Sequence, residues 1–342
     1  TACLAYRIAQ QMKLPEESQR NVLMAGIIHD IGALSVQERL ALIEDEPVTV
    51  NSHGFRGARL LEEFEPFGEI ADIVRYHHVP WEDGKGRRHM DREVPLESHI
   101  IHLADRVCVQ LKSGPNGLGQ IPSVLESVES RSGSVFAPEI VDALRELAPN
   151  EYVWLELLHR APLISAPLVL MPEMRALDID EVLSISRMFS HIIDFRSHFT
   201  ATHSAGVACT AEKLAEYAGF SQNECQYMLI AGYLHDLGKL AIDNAILEKP
   251  GKLEPAEFNA IRAHTFFTYQ LLSGIHGFET INRWASFHHE KLNGRGYPFH
   301  LTEDDIPVGS RIMAVADVFT AITEPRPYRQ GMGRDQAVST LR

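Results

Sequence analysis

The chain has 342 residues, of which 45% are hydrophobic and 23% charged, and its formal net charge at pH 7 is −14. This length allows two domains with separate cores, and the composition is that of an ordered globular protein. An acidic chain lacks the general attraction for phosphates on which non-specific nucleic-acid and acidic-membrane binding depend, so we expect no binding to DNA or RNA duplexes. A phosphate-bearing substrate would need a local positive charge, such as metal ions.

Cysteine content and hydropathy bear on the compartment. Four cysteines without a CxxC pair favour a reduced, cytoplasmic environment. No signal-peptide pattern is present, and no apolar run reaches the roughly 20 residues that span a bilayer; the longest candidate, 162–171, is broken by Pro167. Residues 1–14 and 335–342 have the pattern of interrupted helices, so we expect a longer protein, for example one with a sensor or receiver domain.

Apolar residues recur at three- and four-residue steps along nearly the whole chain, without sustained alternation, which predicts an all-α fold. Pro and Gly cluster at 113–122 and at 161–172, and the second cluster is the better linker candidate. Helical patterns between them lie around 121–131, 137–148 and 151–160. We therefore predict two tandem helical domains, 1–160 and 184–342, joined by a Pro-containing linker at 161–183.

An internal repeat indicates that the two domains are related. A His-Asp-x-Gly motif ends an apolar segment in each half, and a later single histidine is followed in each half by paired histidines after the same step of 24 residues. An apolar-Ala-Asp motif then closes each copy. The matching landmarks are His29 and His235, His53 and His264, His77 and His288, and Asp105 and Asp317.

The second copy places seven residues of metal-ligand type on inward-facing apolar stripes. They are His203, His235, Asp236, His264, His288, His289 and Asp317. One inward histidine is usually a hydrogen-bonded core residue. Burying seven imidazoles and carboxylates costs several kcal/mol unless they share a partner. A divalent cation is such a partner, and Asp236 could bridge two of them, so the pattern predicts a metal site.

The motif from His235 to Lys239, His-Asp-Leu-Gly-Lys, and the run from His288 to Pro298, His-His-Glu-Lys-Leu-Asn-Gly-Arg-Gly-Tyr-Pro, resemble the signatures of HD-GYP phosphodiesterases over 184–342. The resemblance implies a helical fold and metal-dependent hydrolysis of cyclic dinucleotides, cyclic di-GMP or cyclic GMP–AMP, in signal transduction. It implies one ion held by His203, His235, Asp236 and Asp317, and another held by Asp236, His264, His288 and His289.

Two departures from the family pattern concern ion number and loop structure. Some members have a glutamate four residues before the first histidine, which supports a third ion; Phe199 stands there, so we predict two. Asn293 replaces the usual loop aspartate without removing an expected ligand. Two cations about 4 Å apart can activate a bridging hydroxide for in-line displacement. Mixed histidine and carboxylate ligation favours iron or manganese over zinc.

Asp236 and Lys239 are the predicted catalytic residues. Lys239, a turn beyond His235, can neutralise a phosphate oxygen, the alternative being a solvated helix-end lysine. Arg326 and Arg329 resemble the family's phosphate-binding segment, the alternative being a basic surface loop. Further predicted substrate contacts come from the loop residues Gly296, Tyr297 and Pro298, where glycine permits close approach and tyrosine can stack on a base, although a simple tight turn has the same composition.

Glu290, next to the paired histidines, would either orient a ligand histidine or lie on a helix surface. The first copy lacks the substrate-handling residues: Ala33 stands at the Lys239 position, and 79–84 replace the Gly-Tyr-Pro loop. The counterpart of His203 would precede Thr1. Its remaining ligand-type residues are His29, Asp30, His53, His77, His78 and Asp105. We interpret this copy as a degenerate HD domain, regulatory or dimerising, in which metal binding and a purely structural role are both open.

Three functions remain in competition. The leading one is a phosphodiesterase that linearises a cyclic dinucleotide or cleaves it to mononucleotides. A phosphohydrolase of other nucleotides is disfavoured by the Gly-Tyr-Pro loop and the paired arginines, and a cyclic-dinucleotide receptor without turnover is disfavoured by the complete ligand set. A homodimer and a signalling-protein partner are both compatible with the sequence.

Overall fold

The computed structural model describes residues 1–33, 51–112, 117–158, 176–196, 203–247, 249, 251–324 and 330–341. The chain divides into two compact units, Thr1–Ala176 and Leu177–Arg342. The predicted all-α fold is confirmed. Within the described ranges, no helix combines the length and apolar character that crossing a bilayer requires. The cytoplasmic location stays a prediction.

The helices of the first unit are α1 (Ala2–Gln11), α2 (Glu16–Ile28), α3 (Asn51–Leu61), α4 (Gly68–Arg75), α5 (Leu96–Gln110), α6 (Ile121–Glu129), α7 (Pro138–Leu147) and α8 (Glu151–Leu158). A small antiparallel hairpin, β1 (Arg88–His89) and β2 (Arg92–Glu93), lies between α4 and α5. The sequence did not predict it, because strands of two residues are too short to show alternation. Its turn residues Met90 and Asp91 have positive φ of 49° and 61°, as tight hairpin turns require.

The helices of the second unit are α9 (Ile179–Arg196), α10 (His203–Tyr217), α11 (Gln222–Leu234), α12 (Asn244–Leu247), α13 (Pro255–Ser273), α14 (Glu279–Ser286), α15 (Val308–Thr323) and α16 (Arg334–Leu341). The predicted limits at 160 and 184 stay a prediction, but residues 179–183 of the predicted linker belong to α9. That helix begins early because Asp178 and Glu181 exchange hydrogen bonds between side chain and backbone, which satisfies amides that a helix start leaves unpaired.

The core of the second unit is built from α10, α11, α14 and α15, which surround the ligand-bearing turns. Its fully or nearly fully buried members include Val207, Ala231, Leu234, Trp284 and Met313. Burying such side chains stabilises the unit by roughly 1.5–3 kcal/mol each for the larger ones. The helices that carry the polar residues are therefore held by apolar contacts, and the polar residues need not hold the fold together themselves.

The glycine of each His-Asp-x-Gly motif permits the same close approach in both units. A Cβ at Gly238 would lie 1.9 Å from the carbonyl oxygen of His264, and a Cβ at Gly32 would lie 2.1 Å from that of His53. Any larger residue would separate the His-Asp turn from the helix bearing the next histidine. The repeated glycine thus sets the spacing between two groups of ligand-type side chains.

Candidate metal centre

The seven predicted metal ligands of the second unit occur on helices and on turns directly after helices. His203 begins α10, His235 and Asp236 follow α11, His264 lies within α13, His288 and His289 follow α14, and Asp317 lies within α15. Two of these pairs, His235 with Asp236 and His288 with His289, lie just beyond a helix end. Leaving the helix lets two consecutive side chains point to one place, which α-helical geometry does not allow.

The structure brings these side chains together. Their ligand atoms lie within 4.8 Å of one another in three overlapping groups: His203, His235 and Asp317; His235, Asp236 and His288; and His264, His288 and His289. His235 and His288 are each shared between two groups, so the seven residues form one continuous cluster. The division into two ligand sets implied by the family resemblance is compatible with these groups, because the middle group joins His235 of one set and His288 of the other to Asp236.

Backbone carbonyl groups fix the imidazole tautomers. The Nδ1 atoms of His235, His264 and His288 lie 2.8, 2.6 and 2.6 Å from the carbonyl oxygen three residues earlier in the chain. A carbonyl accepts only a hydrogen bond, so Nδ1 carries the proton and Nε2 presents its lone pair. These three Nε2 atoms are buried and have no hydrogen-bond partner among the described residues. Orphaned buried acceptors of this kind are what a metal ion would satisfy.

The charge of His264 and His288 agrees with that tautomer, whereas for His235 the carboxylate of Asp236 outweighs burial and raises the pKa. Burial, together with the neighbouring His289 and His235, holds the pKa of His288 well below its ordinary value. Burial also lowers the pKa of His264 to about 4, even though Asp236 acts in the opposite direction. Both imidazoles are therefore neutral at pH 7 and are ready to donate a lone pair.

His203 is in a different electrostatic state because two carboxylates face it. Its Nε2 lies 3.2 Å from Oδ1 of Asp317 and its Nδ1 lies 3.2 Å from Oε2 of Glu324. Burial lowers its pKa, but the two carboxylates outweigh burial and raise the pKa to about 9. The buried Asp194 accepts hydrogen bonds from the amide and hydroxyl of Ser204, which fixes the start of α10 and hence the position of His203.

The sequence did not indicate Glu324 or Asp194. Glu324 stands seven residues after Asp317, two helical turns along one face, and that spacing is the signal that would have identified it. Asp194 lies in α9, outside any of the motifs identified in the sequence. Phe199, on which the prediction of two rather than three ions depends, lies outside the described residues.

Asp236 stands at the centre of the cluster. Its Oδ1 lies 3.4 Å from Nε2 of His264, and its Oδ2 lies 3.2 Å from Nε2 of His235. Lys239 Nζ lies 2.5 Å from the same Oδ2. Burial opposes ionisation, but His235 and Lys239 hold the pKa of Asp236 well below its ordinary value. The two carboxylate oxygens face different histidines, as a ligand bridging two ions requires.

Glu290 neither orients a histidine nor lies on the surface, contrary to both expectations. It is 7% exposed, and its carboxylate accepts hydrogen bonds from the amides of Phe299, at 2.6 Å, and Leu301, at 3.0 Å. A Cβ at Gly296 would lie 2.4 Å from the Cα of Glu290. Glu290 therefore fastens the loop of Gly296, Tyr297 and Pro298 against the turn of paired histidines.

Tyr297 lies between the metal-ligand cluster and a cation. Its ring centroid is 4.9 Å from that of His289, and the Arg262 guanidinium carbon lies 4.8 Å from the Tyr297 ring centroid. Burial raises the Tyr297 pKa to about 12, so the phenol stays neutral. The Asn293 side chain accepts a hydrogen bond from the Arg295 amide at 3.0 Å, which stabilises the turn at the position of the family's aspartate.

Arg262 was not predicted, because it belongs to no recognisable motif. It lies in α13, two residues before His264. The predicted phosphate-binding residues Arg326 and Arg329 lie outside the described residues. The peptide bond between Tyr297 and Pro298 is cis.

Comparison with known proteins agrees with this geometry. Models of the HD domain family match residues 187–342 and residues 1–109. The 3′3′-cGAMP-specific phosphodiesterase 1 of Vibrio cholerae serotype O1 is 33% identical over 99% of the chain and 80% of that protein. The chain belongs to the HD-GYP family of cyclic dinucleotide phosphodiesterases. Both the resemblance inferred from the motifs and the assignment of the chain to an enzyme family are thereby confirmed.

Other members of the HD-GYP family match to different extents. The 3′3′-cGAMP-specific phosphodiesterase 3 of the same organism is 34% identical over 84% of the chain and 62% of that protein. The cyclic di-GMP phosphodiesterase response regulator RpfG of Xanthomonas campestris pv. campestris is 36% identical over 50% of the chain and 46% of that protein. A crystal structure of the cyclic GMP-AMP specific phosphodiesterase V-cGAP3 of V. cholerae aligns with a TM-score of 0.65 and 26% identity, over 99% of this chain and 86% of that one.

Proposed function

We propose that the second unit hydrolyses a phosphodiester bond of a 3′3′-linked cyclic dinucleotide at a site for two divalent metal ions. The supporting observation is the set of buried Nε2 lone pairs that converge around Asp236 without hydrogen-bond partners among the described residues. We place 3′3′-cGAMP first among substrates, because the relatives that align along most of the chain carry that name. Cyclic di-GMP is the second candidate, since the relative named for it aligns with half of the chain.

The donor set fits two transition-metal ions. Five imidazoles and two carboxylates form a mixed nitrogen and oxygen environment. Such an environment suits iron and manganese better than an all-thiolate site would. Asp236 offers one oxygen to each side of the cluster. His203, His235, Asp236 and Asp317 would hold one ion, and Asp236, His264, His288 and His289 would hold the other. Bound there, the ions would activate a water molecule and stabilise negative charge on the phosphate.

Lys239 would bind the substrate phosphate when the carboxylate of Asp236 coordinates metal. In the structure its ammonium donates to Asp236 Oδ2 at 2.5 Å. Metal binding would weaken that ion pair, because the oxygen's charge is shared with a stronger cation. The ammonium, which is only partly buried, would then turn to a non-bridging phosphate oxygen and stabilise charge that develops during displacement.

Tyr297 and Arg262 would form one wall of the substrate site. The neutral phenol can donate a hydrogen bond, and its ring is flanked by the guanidinium group. Arg262 also adds positive charge near a site in an otherwise acidic chain, which favours a doubly anionic dinucleotide. Gly296 lets this wall approach the paired histidines closely.

The proposal is tested by incubating the metal-loaded protein with 3′3′-cGAMP, cyclic di-GMP and simple nucleotides, and resolving the products. We expect hydrolysis of the cyclic dinucleotides, fastest for 3′3′-cGAMP, and none by the Asp236→Ala variant. Binding without products would favour a receptor, and turnover confined to simple nucleotides would favour a general phosphohydrolase. Either result would overturn the proposal.

A further inference from the structure

Among the described residues of the first unit, four ligand-type side chains form one close group. The ligand atoms of Asp30, His53, His77 and His78 lie within 4.8 Å of one another. His53 Nε2 lies 3.3 Å from Oδ1 of Asp30 and 3.2 Å from Nε2 of His77. Nδ1 of His77 lies 2.6 Å from the carbonyl oxygen of Val74, so this nitrogen carries the proton and Nε2 directs its lone pair into the group.

The other half of the corresponding site is blocked by a guanidinium group. Arg106 Nε and Nη2 donate to Oδ2 of Asp105 at 3.1 and 2.6 Å, and both residues are buried. Thr1 Oγ1 donates to Oδ1 of Asp105 at 3.3 Å. Both carboxylate oxygens are thus engaged, and a fixed positive charge stands beside them. In the second unit the residue after the matching Asp317 is Val318, which cannot play this part.

We propose that the first unit binds a single divalent transition-metal ion at Asp30, His53, His77 and His78, and that Arg106 takes the place of the second cation. Three imidazoles and one carboxylate suffice for one such ion. Among the described residues of this unit no second group of ligand-type atoms falls within the same distance. A second ion would have to displace Arg106 from Asp105, and the remaining guanidinium would repel it.

A unit with one ion lacks the paired-ion geometry for displacement at phosphate. It also lacks the lysine, because Ala33 occupies that position. The Asp30 side chain is 42% exposed, compared with 5% for Asp236, so water could complete the coordination of an ion held there. The ion therefore fixes the His-Asp turn against α3 and the paired histidines, and the first unit is a metal-stabilised module without hydrolytic activity of its own.

The test uses the full chain, anaerobic loading with Mn²⁺, removal of unbound ion by gel filtration, and elemental analysis. We expect three ions per wild-type chain, and two after His77→Ala or, as a second variant, His53→Gln, each checked for folding by circular dichroism. In the Asp236→Ala background we expect one remaining ion, with the electron paramagnetic resonance spectrum of an isolated Mn²⁺. The proposal would be overturned if both first-unit variants bound as many ions as the wild-type chain.

Arg106→Val tests the role of the guanidinium. In the Asp236→Ala background we expect this substitution to admit a second ion and produce the spectrum of a spin-coupled pair. Arg145→Val, which removes an exposed arginine of α7 in the same unit, should leave one isolated ion. A coupled pair with Arg106 intact, or a single ion without it, would refute the assignment to Arg106. These experiments measure ion number and spin coupling. Their outcome is therefore independent of the hydrolysis assay, which tests the proposed function of the second unit.

Discussion

Glu290 offers the sharpest test of how the structure positions the substrate loop. Its carboxylate accepts two amide hydrogen bonds, from Phe299 and Leu301, in a nearly solvent-free position. A hydrogen bond to a charged group contributes about 1.5–3 kcal/mol. Taking the lower value for each, Glu290→Ala should weaken loop attachment by about 3 kcal/mol, a factor of about 10² in the fraction of attached loop.

Glu290→Gln should be nearly as damaging as the alanine variant, although it keeps the size of the side chain. An amide has one acceptor oxygen, and its NH₂ group would face the second backbone N–H. Metal content should not change in either variant, because the Glu290 carboxylate binds the loop amides of Phe299 and Leu301. The effect should therefore appear in the loop and in kcat/KM for 3′3′-cGAMP, and not in ion stoichiometry.

Hydrogen exchange at the amides of Phe299 and Leu301 measures the attachment directly. We expect exchange at both amides to accelerate up to about 10²-fold in Glu290→Ala, and kcat/KM to fall by about 10- to 10²-fold as the loop of Tyr297 loosens. Glu303→Gln is the matched control, because it changes an exposed acid close to Arg311. Unchanged exchange in a folded Glu290→Ala protein would show that the loop is held by other contacts.

Further perturbations separate metal binding from chemistry. Asp236→Ala should remove both ions of the second unit and all turnover; elemental analysis and product assay check this, and retained turnover would contradict it. Lys239→Ala should keep both ions but slow turnover about 10²-fold, with the exposed Lys213→Ala as control. Glu324→Gln should weaken metal affinity about 10- to 10²-fold by removing the carboxylate behind His203, measured by chelator competition. The pKa of His203 is raised to about 9. Its proton therefore stabilises the metal-free fold fully below the ordinary histidine pKa, and this stabilisation is lost as pH rises through about 9. Binding of Mn²⁺ at pH 7 should release this proton, and a titration in weak buffer that showed no acid release would refute the prediction.

The candidate ligands of the second unit could be selected from the sequence because each stands in a local pattern that the fold preserves. His235 and Asp236 end an apolar helix before a glycine, and that glycine is required by the 1.9 Å approach to the His264 carbonyl. Glu290 and Glu324 could not be assigned in this way. Glu290 binds amides 9 and 11 residues later in the chain, and Glu324 binds His203, 121 residues earlier. The seven-residue step from Asp317 marks the helix face of Glu324, but only tertiary distances reveal what either carboxylate contacts. The hairpin between α4 and α5 was not predicted for a different reason: its two-residue strands are too short to show alternation.

Comparison of the two units shows which charges differ on a shared frame. Both keep the glycine contact, the His-Asp turn and the paired histidines, so packing alone does not distinguish them. Besides the replaced Gly-Tyr-Pro loop, two differences are single charges at matching positions: Lys239 against Ala33, and Val318 against Arg106. The first substitution removes a group that could stabilise a phosphate, and the second places a permanent cation on the aspartate of the site. Because charge acts over several ångströms while packing acts at contact, the first change would remove phosphate stabilisation and the second would exclude one ion, without disturbing the helices that carry the site.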